Sequence, residues 1–338
     1  MTDGKNPLFS VVICDHDRKQ YIKEAVESVL NQDISRSLFE VLVVKNYLDV
    51  DIDRYLDNNG VKSIFTSAVP LSQKMAKGIE NSTGHYICFL DDDDLFAAGK
   101  LSRILVFIEK YGRISFYHNS FTTINERGKI NSKIPPKKTS GSIELKNASE
   151  INKKVHLLLR HRSDWYASMM CINREILLSK ISVLSNSSAS ADRLLFLIGI
   201  SNGDPVICDF EPNTYYRVHE SLTTTFLSFN DFMKRRENFY KNSLESFRSA
   251  YSLFTNTHSI EVLEMFLVHE DIMVAFTGLN EKYNISNFFK KALKCYFKLR
   301  KLDLLIWYFL LVLKRFIGLP IVKLYYLITM NKLKKASK

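Results

Sequence analysis

Apolar and polar positions come in alternating blocks through the first ninety residues of this chain. Leu8 to Cys14 is a largely apolar run that reads as a strand. Tyr21 to Asn31 carries Ile22, Ala25, Val26, Val29 and Leu30 at helical spacing. Phe39 to Val44 predicts a second strand, Asp51 to Asn58 a short helix stopping near Gly60, and Val61 to Phe65 a third strand. Leu71 to Asn81 reads as a helix and Tyr86 to Leu90 as a fourth strand. This alternation predicts an α/β domain, with a Rossmann-like, mostly parallel sheet flanked by helices. The carboxyl ends of such strands share one edge, where ligands bind. Asp15, Lys45 and Asp91 fall at that edge.

Further on, Ser115 to Asn119 and Ser168 to Asn173 read as strands, and Pro135 to Ser142 as a polar loop. A small-residue loop, Ser185 to Ser190, leads into a helix from Asp192 to Ile200. Val206 to Phe210 and Thr214 to Val218 read as two short strands, and the pattern turns helical from Phe229. The expected division is an α/β domain over residues 1–228 and a helical region over 229–338. Within the latter, Leu304 to Leu313 is ten apolar residues, short of the roughly 17–25 that span a bilayer. Lys314 and Arg315 interrupt it before Phe316 to Val322 and Leu324 to Met330. Segments lying in a membrane interface with snorkelling cations are the expectation.

Charge sharpens this picture. The chain of 338 residues carries a net +11, yet Lys290 to Lys338 alone holds thirteen Lys/Arg against one acid, Asp303. The rest is therefore near neutral. That distribution argues against nucleic acid as a partner and for an anionic membrane surface, reached through a peripheral or monotopic tail. Lys290, Lys294, Lys298 and Lys301 recur at helical spacing as a basic stripe. The five cysteines are scattered without a Cys-x-x-Cys, and read as reduced, mostly buried thiols of a cytosolic protein. Met1 to Lys5 is polar and includes an acid, unlike a secretory signal.

Four consecutive aspartates, Asp91 to Asp94, follow the strand Tyr86 to Leu90 directly. Like charges gathered at a buried strand end are costly unless something positive neutralises them. A hard divalent cation is suited to that task, since Mg²⁺ and Mn²⁺ prefer carboxylate oxygens. The bland reading is a solvated acidic loop.

Three other stretches join the aspartates. Ser10-Val11-Val12-Ile13-Cys14-Asp15-His16-Asp17-Arg18 leads into Ser28-Val29-Leu30-Asn31-Gln32. Gly78-Ile79-Glu80 precedes Gly84-His85-Tyr86 and the acidic run. Ala191-Asp192-Arg193-Leu194 and Tyr215-Tyr216-Arg217-Val218-His219 come later. In this order the motifs resemble the family-2 inverting glycosyltransferases of the GT-A fold, over roughly Phe9 to Thr224. Val43-Val44-Lys45-Asn46-Tyr47 and Tyr117-His118-Asn119 look most like archaeal members.

The resemblance implies a nucleotide-sugar donor, a UDP- or GDP-sugar, and a divalent metal, Mn²⁺ or Mg²⁺. Asp91 and Asp93 match the family's Asp-x-Asp pair, and His219 resembles a histidine that approaches the metal or diphosphate. Asp192 matches the general base. Its alternative use, as a cap at a helix N-terminus, stays open. Asp15, Asp17, Arg18, Lys45, Lys74, Asp91 and Asp92 are the expected donor-binding set. The chain departs from the family where Cys14-Asp15-His16-Asp17, Lys45-Asn46-Tyr47-Leu48 and Lys74-Met75-Ala76 stand. The basic, apolar tail makes a lipid-linked sugar or polyprenyl phosphate the expected acceptor, at the cytoplasmic face of the cell membrane. The rivals are a nucleotidyltransferase, for which no Gly-rich phosphate loop is present near the N-terminus, and a non-catalytic binding module.

Overall fold

The structure is a computed structural model that describes residues 6–16, 19–131, 140–219, 225–278 and 285–337, with side chains as far as residue 331. Asp17 and Arg18 lie outside the described residues, as does most of the Pro135 to Ser142 loop. The chain divides into two compact units, Met1–Arg217 and Val218–Lys338.

The first unit begins with β1 (Phe9–Cys14), α1 (Lys19–Leu30), β2 (Phe39–Lys45), α2 (Val50–Asn58), β3 (Lys62–Phe65), α3 (Leu71–Glu80) and β4 (Tyr86–Asp91). These are the elements expected from the hydrophobic pattern, within two residues at each end. Strands β3, β2, β1 and β4 lie side by side in that order and all run parallel. The strand interiors are apolar on both faces, as they must be when helices cover both sides. Gly84, just before β4, permits a close approach. A Cβ there would stand 2.6 Å from the Phe9 carbonyl carbon and the Ser10 nitrogen of β1.

The unit continues through β5 (Leu95–Phe96), α4 (Lys100–Tyr111), β6 (Phe116–Ile124), β7 (Ser142–Leu145), α5 (Ala148–Arg160), β8 (Met170–Asn173), α6 (Arg174–Ser179), α7 (Ile181–Ser185), α8 (Ala191–Gly199) and β9 (Val206–Arg217). Here the sheet becomes mixed. Strand β8 is antiparallel to both β4 and β6, β9 is parallel to β6, and β5 and β7 pair antiparallel with β9. The start of β8 and the end of β9 therefore arrive at the same edge as the end of β4. Strand β9 is continuous where two short strands were expected. The Pro212 region is absorbed by a register irregularity against Ser120, which suits a residue with no N–H to offer. Helices α4 and α5 and the short strands β5 and β7 were not marked by the hydrophobic pattern.

All five cysteines are free and buried. Cys88 and Cys171 face each other across β4 and β8.

The second unit holds α9 (Phe229–Ala250), α10 (Thr257–Thr277), α11 (Ile285–Leu299), α12 (Leu302–Ile317) and α13 (Leu319–Ser337). Helix α10 packs against α9, α11 and α12, and α12 against α13. Burial on several sides explains why α10 is apolar nearly all round. Helix α12 buries Leu304 and Leu311 but leaves Leu302, Ile306, Phe309, Leu313, Phe316 and Ile317 exposed. Leu324, Leu327 and Ile328 of α13 are exposed as well. Among the described residues, no helix is long and apolar enough to cross a membrane.

Two cationic features depart from the expected pattern. Lys314 turns inward, and its Nζ donates to the carbonyls of Ala275 and Gly278 at 2.7 and 2.5 Å. It caps the end of α10, where carbonyls lack helical partners. Within the basic stripe, Lys294 pairs with Glu264 and Lys298 with Glu261.

Candidate active site

Strand β4 ends at Asp91, and the chain turns at once, with the Asp94 N–H donating to the Asp91 carbonyl at 3.2 Å. Each aspartate is held differently. The Asp91 N–H donates to Ser168 Oγ at 3.0 Å, just before β8. Asp92 Oδ2 accepts the His16 N–H at 2.7 Å, after β1. Asp94 Oδ1 accepts the Arg217 N–H at 2.9 Å, at the end of β9. Four strand ends of one sheet thus converge on this turn.

Carboxylate oxygens of Asp91, Asp93 and Asp94 lie within 4.8 Å of one another. Asp93 and Asp94 are buried and Asp91 is half-buried. An all-oxygen donor set held this closely fits a hard divalent cation, and the charge it concentrates favours one. Asp94 was not in the expected metal set. It belongs with Asp91 and Asp93, whereas Asp92 is turned toward the His16 backbone.

Arg217 supplies positive charge from the protein itself. Its buried guanidinium donates from Nε to the Asp93 carbonyl at 2.7 Å and from Nη1 to the Glu126 carbonyl at 2.9 Å. Nη2 pairs with Glu24 Oε2 at 2.7 Å. The guanidinium also sits 4.5 Å from the Tyr21 ring centroid. His219, two residues on, belongs to the second unit, which begins at Val218, and is half-buried.

The expected donor-binding lysines are both buried and both tie backbone together. Lys74 Nζ donates to the Asp15 carbonyl at 2.6 Å and to Asn46 Oδ1 at 3.0 Å. Lys45 Nζ donates to the Tyr47 carbonyl at 2.9 Å and pairs with Asp53 at 2.9 Å. Asp15 is buried, and its carboxylate accepts from the Tyr47 hydroxyl. These groups knit the ends of β1 and β2 to α2 and α3.

Asp192 lies in the first turn of α8. Its carboxylate does not cap its own helix. Oδ2 accepts the Tyr166 N–H and Oδ1 the Ala167 N–H, each at 3.2 Å. These donors come from the segment that enters β8. Burial raises the Asp192 pKa, and the two N–H groups only partly offset it. Tyr166 has φ 63° and Ser190 has φ 58°, left-handed backbone that non-glycine residues rarely adopt. Both flank Asp192, so backbone strain is concentrated at this carboxylate. The Tyr166 ring packs on Tyr216 at 4.8 Å and on Phe121 at 5.5 Å. Burial chiefly, with Tyr166 and the Asp94, Asp93 and Asp91 carboxylates adding to it, raises the Tyr216 phenol strongly. The aromatic cluster therefore adjoins both the aspartate turn and Asp192.

Comparison with known proteins agrees with this architecture. Residues 10–172 match the family model described as Glycosyl transferase family 2. An uncharacterized glycosyltransferase of Rickettsia bellii is 33% identical over 138 residues, 40% of this chain and 20% of that protein. The chain thus spans about a fifth of that relative's length. An uncharacterized glycosyltransferase of Haemophilus influenzae is 24% identical over 303 residues, covering 87% of this chain and 90% of that one. The crystal structure of S. aureus TarS 1-349 in complex with UDP-GlcNAc superposes with TM-score 0.59 at 16% identity, covering 92% of each chain. At that identity the likeness shows the fold, which is the expected GT-A-like α/β fold with a helical C-terminal region. Residues 10–172 thus resemble the family 2 glycosyltransferases, and both of these relatives are named glycosyltransferases. Both of these sequence relatives are bacterial, and the leaning toward archaeal members is not supported.

Proposed function

We propose that this enzyme moves a sugar, with inversion, from a UDP- or GDP-sugar to a hydroxyl or phosphate of a lipid-linked acceptor such as a polyprenyl phosphate. The observation that carries the reading is the convergence of the Asp91, Asp93 and Asp94 carboxylates and of Asp192 on one sheet edge. Asp91, Asp93 and Asp94 would hold Mn²⁺ or Mg²⁺, which when bound offsets the negative charge developing on the departing diphosphate. The acceptor oxygen attacks the anomeric carbon, and the bond from that carbon to the diphosphate oxygen breaks. Asp192 takes the acceptor's proton. The Tyr166 and Ala167 N–H groups hold its carboxylate in place through both protonation states. Asp15, Asp92, Lys45 and Lys74 shape the donor side by fixing backbone, and Asp17, Arg18 and His219 complete the proposed set. Nucleic acid has no part in this reading.

A thermal-shift screen of nucleotide sugars tests it. A ligand that binds only the native state, at about 100 times its Kd, stabilises by about 2.7 kcal/mol. A UDP- or GDP-sugar with Mn²⁺ is expected to raise Tm, and the same sugar with chelator to do so much less. Silence of every nucleotide sugar in the presence of Mn²⁺ would sink the reading.

The lipid acceptor rests on the second unit. The exposed apolar residues of α12 and α13, with the surrounding cations, suit an interface at the cytoplasmic face of the cell membrane. Because Lys294 and Lys298 already pair with acids, apolar burial would dominate over charge. Full-length protein is expected to sediment with anionic vesicles, and high salt to release only part of it. Phe309→Ser with Phe316→Ser is expected to abolish sedimentation while leaving donor binding intact. Unchanged sedimentation of that variant would remove the membrane from the account.

A further inference from the structure

Three aromatic rings link the aspartate turn to Asp192. Phe121 of β6 and Tyr216 of β9 come from neighbouring parallel strands. The register sets Phe121 opposite Thr214, two residues before Tyr216, so both side chains leave the same face of the sheet. Their ring centroids are 5.5 Å apart. Tyr166 arrives from the segment before β8 and meets Tyr216 at 4.8 Å and Phe121 at 5.5 Å. Each tyrosine is tied through backbone to one end of the site. The Tyr166 N–H donates to Asp192, and the N–H of Arg217, next to Tyr216, donates to Asp94. All three rings are half-buried, and Trp165, 6.0 Å from Tyr166, is 39% exposed, so the cluster reaches solvent.

A largely enclosed phenol ordinarily finds a hydrogen-bond partner. Among the described residues, neither the Tyr166 nor the Tyr216 hydroxyl has one. Burial chiefly raises the Tyr166 phenol; Arg162 opposes it, and Asp192 and Asp94 add to it. The Tyr216 phenol moves the same way, through burial first. Both stay protonated at neutral pH, and each offers an O–H donor. An enclosed donor left without a partner costs free energy, which a bound hydroxyl recovers. The kind of acceptor follows from the proposed base. A phosphate oxygen is already anionic at neutral pH, its second pKa being about 6, and needs no group to take a proton from it. A sugar hydroxyl does need one, and Asp192 is placed to serve. The apolar C–H face of a sugar ring suits an aromatic wall with a few polar groups that fix orientation.

We infer that Phe121, Tyr166 and Tyr216 form an acceptor platform that holds a sugar ring, with the two phenols bonding its hydroxyls and one hydroxyl presented to Asp192. This rests on the reading of Asp192 as the base facing the acceptor. Of a hydroxyl and a phosphate, the platform selects the hydroxyl. Its oxygen attacks the anomeric carbon of the donor as its proton passes to Asp192, and the diphosphate departs with the electrons of the broken bond.

The experiment uses the full-length Trp307→Phe protein, in which Trp165, beside Tyr166, is the single remaining tryptophan. Its emission is followed with the methyl glycosides of glucose, galactose, mannose and N-acetylglucosamine, and with methyl phosphate. Each is titrated alone and again at saturating nucleotide sugar with Mn²⁺. At least one glycoside is expected to change the emission saturably in both settings, and methyl phosphate to leave it unchanged. Tyr166→Phe and Tyr216→Phe keep the rings and remove the hydroxyls. Each is expected to weaken the apparent affinity about two- to tenfold, the loss that goes with one hydrogen bond. Neither hydroxyl has a partner to lose within the described protein, so both variants are expected to unfold cooperatively at the native Tm. Unchanged affinity in both variants, no response to any glycoside, or a stronger response to methyl phosphate overturns the inference. A response that nucleotide sugar abolishes also overturns it, because the rings then belong to the donor sugar. A tyrosine-dependent glycoside response in a protein that no nucleotide sugar stabilises would count against the transferase reading and leave the platform standing.

Discussion

Asp93→Asn is expected to lower turnover by about 10³-fold or more, because charge stabilisation by a metal is worth several kcal/mol and each 1.36 kcal/mol is a factor of ten. The change converts one of three clustered carboxylates into a neutral amide. Chelator should impose the same loss on the native enzyme, and Mn²⁺ should restore the native enzyme but not the variant. Asp92→Asn separates metal holding from backbone holding. Its amide oxygen can still accept the His16 N–H that Asp92 accepts at 2.7 Å, so far more activity should survive. Steady-state rates with and without chelator check all three. Full turnover in excess chelator would show that the aspartate turn works without a cation.

Asp192→Asn comes second, with an expected loss of about 10²–10⁴-fold in turnover and little change in donor affinity. The amide oxygen still accepts one of the two N–H bonds, so the loop should stay in place. pH dependence gives a sharper check. Burial raises the Asp192 pKa above its ordinary value of 3.8, so the acidic limb of kcat/KM should lie above that value. The limb belongs to the base and should vanish in the variant. Stability runs the other way. A carboxyl whose folded pKa is raised contributes stability that is fully present below its unfolded pKa and is lost as pH rises through its folded pKa. At neutral pH the native enzyme therefore carries the cost of an ionised, enclosed carboxylate. The Asn variant is expected to melt no lower than the native protein, and a thermal scan at two pH values reads the difference. A variant that keeps more than about a tenth of native turnover would assign the base elsewhere.

The parallel half of the sheet was legible because each of its strands is a short apolar run between recognisable helices. The mixed half was not. Strand β8 is only four residues long, and nothing local announces that it runs opposite to β4. Helix α5 follows a stretch of mostly polar residues whose clearest local signal is the loop before it. At the site, the aspartate run stood out because its charge is unusual after Phe89 and Leu90. How each aspartate is oriented was set by partners distant in sequence: His16 turns Asp92 away, and Arg217 holds Asp94 in the cluster. Arg217 lay inside the Tyr-Arg-x-His motif, where His219 was the expected ligand. The need for positive charge beside four carboxylates was a signal that could have singled Arg217 out. Lys45 and Lys74 looked like free phosphate ligands, and only the folded chain reveals how their ammonium groups are spent on Asp53, Asn46 and backbone carbonyls.

The buried cysteines have a consequence for handling this protein. Thiolates are the reactive form, and burial raises the pKa of Cys14, Cys171, Cys208 and Cys295. An alkylating reagent can reach them only when the surrounding structure opens. Cys14, Cys88, Cys171 and Cys208 belong to the first unit, while Cys295 alone belongs to the second. The chain thus carries a separate chemical clock in each unit. Peptide mapping of time-resolved alkylation reads, without any engineered label, how often each one opens under native conditions.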